Sequence, residues 1–186
     1  GKFDGEINFL PYFDFNLNVD INGVNFNKFY TFLINLDEKD KLNLFKINKK
    51  LNGKFNLSIN KIYSRHTFVD SLESQLKFIN GNILVEQMLL NLKKLGAADV
   101  TGTIKTGNKY TNFSFEHNIF LDNLKRFYSG FGIYNRQKVA SHLFVSGNFN
   151  LTNLNLRLNE IFVGEKLNKE ELIYIEKNFN DIMLQN

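Results

Sequence analysis

From Tyr12 onward the chain alternates. Phe13, Phe15, Leu17, Val19 and Ile21 are separated by Asp14, Asn16, Asn18 and Asp20. A period of two places the apolar set on one side of a strand and the Asn and Asp side chains on the other. Asn22-Gly23 ends the run. Phe26, Phe29, Tyr30 and Leu33 then recur at spacings of three and four, which predicts a short helix. After a break at Asn52-Gly53, Phe55, Leu57 and Ile59 alternate with Asn56, Ser58 and Asn60, a second strand.

Asn80-Gly81 suits a type I′ turn, because both residues adopt positive φ readily. The implied hairpin pairs Phe78 with Ile83, Leu76 with Val85 and Leu72 with Leu89, and leaves Glu73, Gln75, Lys77 and Glu86 on the opposite surface. Further on, Val100 and Ile104 flank Gly102, a turn follows at Gly107-Asn108, and Tyr110 to Phe115 reads as the returning strand. Leu121, Leu124, Phe127 and Tyr128 suggest one or two helical turns before the break at Gly130 to Gly132. Leu143, Val145, Phe149 and Leu151 form another alternating run, as do Leu154, Leu156 and Leu158, with Thr152-Asn153 as the turn between them. At the C-terminal end Leu172, Ile175, Phe179 and Ile182 recur at helical spacing. Asn168 and Glu171 stand as a capping box with Leu167 and Leu172 as its staple, so this helix begins at Asn168 or Lys169 and caps the sheet or packs on its apolar face. The pattern predicts a mainly β fold: a curved, largely antiparallel sheet with an amphipathic C-terminal helix and one or two short helical segments, in one β-rich segment covering 1–186.

Composition narrows the chemistry more than it names it. With 43% hydrophobic residues and 20 Phe in 186 positions the chain can bury a core. Its net charge of +4 is spread over short pairs such as Lys49-Lys50, Lys93-Lys94 and Lys125-Arg126, without the clustered cations that a phosphate backbone requires, so no nucleic-acid partner is expected. Without cysteine there are neither disulfides nor thiolate ligands. His66, His117 and His142 lie on separate segments with no metal-binding spacing. Glu116-His117 and Ser141-His142 supply acid, base and hydroxyl types, but no nucleophile elbow accompanies them. Gly130-Phe131-Gly132 lacks the third glycine of a dinucleotide fingerprint. The residues thus point to no catalytic centre, no cofactor and no metal. No apolar run approaches the ~18 residues of a membrane span, and a start at Gly1 reads as an excerpt whose anchor or signal lies upstream.

The order strand, tight turn, strand, small-residue step and glycine-bearing strand runs through Leu76 to Val85, Leu89 to Leu92 and Gly96-Ala97-Ala98-Asp99-Val100-Thr101-Gly102-Thr103-Ile104. With Leu143 to Leu151 as a further strand, this pattern resembles the C-terminal region of AsmA-like proteins. The resemblance implies a segment of a longer, inner-membrane-anchored periplasmic protein of a Gram-negative envelope, linked to outer-membrane biogenesis and phospholipid transport between membranes. It implies no catalytic residues. Its partners would be phospholipid acyl chains, the remaining domains of the same chain, and the membrane through an anchor outside this segment. Phe13, Phe15, Leu17, Val19, Phe55, Leu57, Phe78, Ile83, Val85, Leu154 and Leu156 are the candidate lipid-contacting residues. Two readings compete with it: a structural or protein-binding β-domain with a closed core, and a hydrolase using His117 or His142.

Overall fold

The computed structural model describes residues 1–9, 13–64, 68–125 and 141–184. The expectations at Tyr12, His66, Phe127, Tyr128 and Gly130 to Gly132 lie outside the described residues. In chain order the elements are β1 (Lys2–Asn8), β2 (Asp14–Ile21), β3 (Val24–Asn25), α1 (Phe26–Asn35), α2 (Glu38–Leu44), β4 (Asn52–Ile59), β5 (Ile62–Tyr63), β6 (Ser71–Ile79), β7 (Asn82–Asn91), β8 (Gly96–Thr106), β9 (Thr111–Leu121), β10 (His142–Asn150), β11 (Asn155–Val163), β12 (Glu165–Lys166) and α3 (Lys169–Leu184). Ten strands make one open sheet in the order β1-β2-β4-β6-β7-β8-β9-β10-β11-β12, while β3 and β5 form a separate two-stranded ladder. Within the ten-stranded sheet neighbours are antiparallel except β2 and β4, which run parallel because α1 and α2 form a crossover between them, and β3 pairs with β5 in parallel as well.

The alternation seen along each strand becomes four rows across the sheet. One row runs Ile21, Ile59, Leu72, Leu90, Ala98, Ile119, Leu143 and Val163. The next runs Phe3, Val19, Leu57, Ser74, Met88, Val100, His117, Val145 and Ile161, and a third Gly5, Leu17, Phe55, Leu76, Val85, Gly102, Phe115, Gly147 and Leu158. The fourth runs Ile7, Phe15, Gly53, Phe78, Ile83, Ile104, Phe113, Phe149 and Leu156. Ser74 and His117 are the polar side chains within these rows. The opposite face carries polar ladders, among them Asn56 donating to Asn18 Oδ1 at 2.8 Å and Ser114 donating to Asn148 Oδ1 at 2.6 Å.

Two β-bulges keep the rows in phase. Gln75 pairs with Gln87 but Leu76 pairs with Val85, so Glu86 is an extra residue of β7. Likewise Ser146 pairs with Glu160 and Gly147 with Leu158, leaving Asn159 extra. Each bulge inserts one exposed polar residue and moves the apolar set from one parity to the other: Ile83 and Val85 before Met88 and Leu90, Leu156 and Leu158 before Ile161 and Val163. The predicted hairpin is present, with Asn80 at φ 53° and Gly81 at φ 80° and with the Phe78–Ile83 and Leu76–Val85 pairs as expected. Beyond the bulge the expected register fails. Leu72 pairs with Leu90, and Leu89 lies on the polar face, 41% exposed.

Two turn assignments also change. Asn52-Gly53 is the first step of β4 and not a break before it. A Cβ on Gly53 would stand 2.3 Å from the Phe15 carbonyl oxygen and 2.5 Å from its ring, so only glycine admits that close approach. Leu154 is not a strand residue: it ends a four-residue turn with φ 56°, and β11 begins at Asn155. The capping box is formed, with Asn168 Oδ1 accepting from the Glu171 N–H at 3.0 Å and Glu171 Oε2 from the Asn168 N–H at 2.8 Å.

An apolar sheet face and the cavity beside it

Most of the apolar face stays half-buried. Phe15, Ile83, Val85, Val100, Leu156 and Ile161 are buried, whereas Leu17, Val19, Phe55, Leu57, Leu76, Phe78, Phe113, Phe115 and Phe149 keep partial exposure. No second sheet covers the face among the described residues. Of the residues singled out in the sequence, Phe15, Leu17, Val19, Phe55, Leu57, Phe78, Ile83, Val85 and Leu156 share this face. Phe13 stands just before β2, with its ring 5.6 Å from Phe9 and 6.3 Å from Phe15. Leu154 belongs instead to a separate cavity at one end of the rows.

That cavity measures ≈ 360 Å³ and is walled by Phe26, Phe29, Tyr30, Leu33 and Ile34 of α1, Lys41 of α2, Phe45, Phe149 of β10, Leu151 and Leu154 of the following turn, and Phe179 of α3. Its position requires the sheet to bend. Helix α1 leaves the β2 side, beside β5, yet it shares the cavity wall with Phe149 of β10 and Phe179 of α3. Four strands separate β4 from β10, which in a flat sheet would be about 24 Å at ~4.8 Å per step. A ten-residue helix spans only about 15 Å. The sheet therefore curls towards its apolar face, and α1 lies across the opening.

A chain of threonines fixes this crossover. Thr106 Oγ1 donates to the Phe45 carbonyl at 2.8 Å and lies 3.2 Å from Thr111 Oγ1, while the Thr111 N–H donates to Thr152 Oγ1 at 3.0 Å. Thr111 and Thr152 are fully buried. They join the end of α2 to the turns that close the cavity. Asn25 and Asp37 start the two helices, accepting from the Lys28 and Asp40 N–H groups at 3.1 and 2.7 Å.

Among the described residues the two histidines of the sheet lie on opposite faces. His117 lies on the apolar face between Val100 and Val145, and burial holds its imidazole below the ordinary range, with the charge of Asp99 opposing that shift. His142 belongs to the other face, stacked on Phe120 at 4.8 Å with Nε2 2.9 Å from Asn118 Oδ1. No cluster of His, Asp and Glu able to hold a metal exists among the described residues. Larger hollows of ≈ 510 and ≈ 660 Å³ lie along the polar ladders.

Sequence reasoning missed the cavity wall. It found α1 as a helix but not its apolar role, and it passed over Lys41 and the whole of α2. The Asp37 cap with acids at Glu38 and Asp40 was the available signal for α2. No protein-family profile, curated protein or solved structure matches this chain.

Proposed function

We propose that this chain is a non-enzymatic envelope-protein segment that shields lipid acyl chains on an apolar sheet face, in outer-membrane biogenesis or phospholipid transport between membranes. In this reading it is periplasmic, belongs to an AsmA-like protein and is anchored in the inner membrane outside this segment. The observation that carries the acyl-chain reading is the set of four apolar rows, each across eight or nine strands, open on one side and for the most part only half-buried. A closed core would bury such rows completely. Acyl chains need interchangeable apolar contacts, each buried CH₂ contributing about 0.8 kcal/mol, and no polar constellation. The envelope setting rests on the AsmA-like pattern of Leu76 to Ile104.

The test is photo-crosslinking in Gram-negative cells, with a photoreactive residue at Leu57 or Phe115 on the apolar face and at Lys54 on the polar face. Mass spectrometry of the adducts should find phospholipid at the first two positions and not at Lys54. Equal labelling at all three, or none, overturns the reading.

A second reading, a β-domain that binds a protein partner, is favoured by β1. All seven of its residues are exposed, and its outer edge pairs with no strand among the described residues. Such an edge accepts an added strand.

A further inference from the structure

Positive charge that is scattered along the sequence collects at one rim of the folded sheet. β1 ends at this rim, β2 and β4 begin there, and the β6–β7, β8–β9 and β10–β11 turns belong to it. The coil that follows α2 lies along the same rim. The Phe45 carbonyl accepts from Thr106 Oγ1 at 2.8 Å, and a Cβ on Gly81 would stand 3.1 Å from Lys49 Cγ and 3.3 Å from the Ile47 carbonyl oxygen. Lys46, Lys49 and Lys50 of that coil thereby join Lys105 and Lys109 at the β8–β9 turn. All five lysines are exposed, and none makes an ion pair among the described residues. Asp14 is the one acid among the described residues of these strand ends and turns, while Asp37, Glu38 and Asp40 stand at the start of α2, ahead of the rim. The opposite rim mixes signs, with Lys61 and Lys93 both paired to Asp70.

Beside these cations the rim leaves large apolar side chains in water. Phe9, Leu44, Ile79 and Tyr110 are between 40% and 71% exposed. A soluble polyanion would satisfy the lysines but give Leu44 and Ile79 nothing to contact, since an aliphatic side chain offers no ring on which a base could stack. A lipid surface takes both kinds of group. Its anionic headgroups attract lysines lying within a Debye length, and apolar side chains enter the boundary between headgroups and acyl chains. The fourth apolar row, which includes Phe15, Phe78, Ile83, Ile104, Phe113 and Phe149, is the row nearest this rim. A bilayer held here would meet the end of the apolar face.

We propose that this rim docks the chain on an anionic lipid bilayer, with Lys46, Lys49, Lys50 and Lys109 on the headgroups and Leu44 and Tyr110 in the interface beneath them. The proposal stands on charge and exposure at the rim and does not depend on the acyl-chain reading of the sheet face.

The full chain is sedimented with vesicles of phosphatidylcholine alone, or of phosphatidylcholine and phosphatidylglycerol in a two-to-one ratio. It should bind the anionic vesicles about tenfold more tightly or better. Each lysine near a charged lipid surface contributes about fivefold to binding, so Lys46→Gln, Lys49→Gln and Lys50→Gln together should weaken it on the order of 100-fold. Lys2→Gln, Lys94→Gln and Lys169→Gln together remove the same charge from the opposite rim and should cost less than about fivefold. Leu44→Ser with Tyr110→Ser should weaken binding several-fold at unchanged net charge. Equal loss from the two lysine sets overturns this rim as the docking surface. Absence of binding, or equal binding to neutral vesicles, overturns the proposal without relying on any variant. Full displacement from the vesicles by soluble polyphosphate at matching phosphate concentration, or no effect of the Leu44 and Tyr110 changes, would assign the rim to a soluble polyanion and overturn the lipid surface. Lipid captured at Leu57 in cells by a chain that binds no vesicles would reject the docking rim and leave the sheet-face reading standing.

Discussion

The side-chain amide of Asn180 hydrogen-bonds the backbone of Leu156 in both directions. Its Oδ1 accepts from the Leu156 N–H at 2.8 Å, and its Nδ2 donates to the Leu156 carbonyl at 3.0 Å. One residue of α3 thereby stands where the next strand would pair, and Glu176 Oε1 accepts from the Leu158 N–H at 2.5 Å in the same manner. β12 covers only Phe162 and Val163, so α3 protects the remaining edge of β11. Asn180→Ala removes both Leu156 bonds, each worth about 1 kcal/mol. Urea unfolding should show a loss of about 2 kcal/mol, with increased aggregation near the midpoint. Unchanged stability would mean that the Glu176–Leu158 hydrogen bond and the Phe149–Phe179 contact, 6.2 Å between ring centroids, suffice to hold the helix.

At the other end of the sheet, β1 discourages self-pairing by charge. In an antiparallel pair of two β1 strands centred on Gly5, Asp4 of one copy would face Glu6 of the other, and like charges directly opposite are destabilising. Asp4→Thr with Glu6→Thr removes that repulsion and raises β propensity. Sedimentation velocity should then detect stronger self-association than in the parent chain. Identical sedimentation across concentrations would show that the charges do not guard this edge.

The bulge at Glu86 makes adjacent leucines unequal. Leu89 is exposed on the polar face, while Leu90 packs against the buried Leu92, Leu95 and Ala98. Leu89→Lys should stay within about 0.5 kcal/mol of the parent in urea unfolding. Leu90→Lys, which places a charge among apolar neighbours, should cost about 3 kcal/mol or more. Reversal of that order would put the extra residue elsewhere in β7.

Where local chemistry determined local structure, the chain was legible. The Phe15 to Ile21 alternation, the two positive-φ residues at Asn80-Gly81 and the Asn168–Glu171 box each act within a few residues, and each appears as expected. The misses concern relations between distant segments. An alternating pattern shows that Leu72 faces an apolar side but not that Glu86 is looped out opposite Gln75. Gly53 resembles a turn residue until Phe15 is known to lie against it. The parallel pairing of β2 with β4 has no local signature, and neither does the meeting of Phe29, Phe149 and Phe179 in one cavity wall, because sheet curvature brings them together. The apolar face was therefore visible strand by strand, while the cavity was not.

His117 should make stability pH-dependent with a definite sign. In the folded chain its imidazole lies between Val100 and Val145, Nε2 is buried without a hydrogen-bond partner, and burial depresses its pKa below the ordinary 6.5 despite the charge of Asp99. Between the depressed folded value and 6.5 the unfolded chain binds more protons than the folded one, so stability rises with pH across that interval. The stabilisation is fully present above 6.5 and is lost as pH falls towards the folded value. His117→Leu retains an apolar side chain in the row and removes this titration. Urea midpoints measured from acidic to neutral pH should therefore fall less steeply on acidification in the variant than in the parent. Equal slopes would show that His117 reaches water in the folded chain and that the apolar face is more open around Val100 and Val145 than their packing implies.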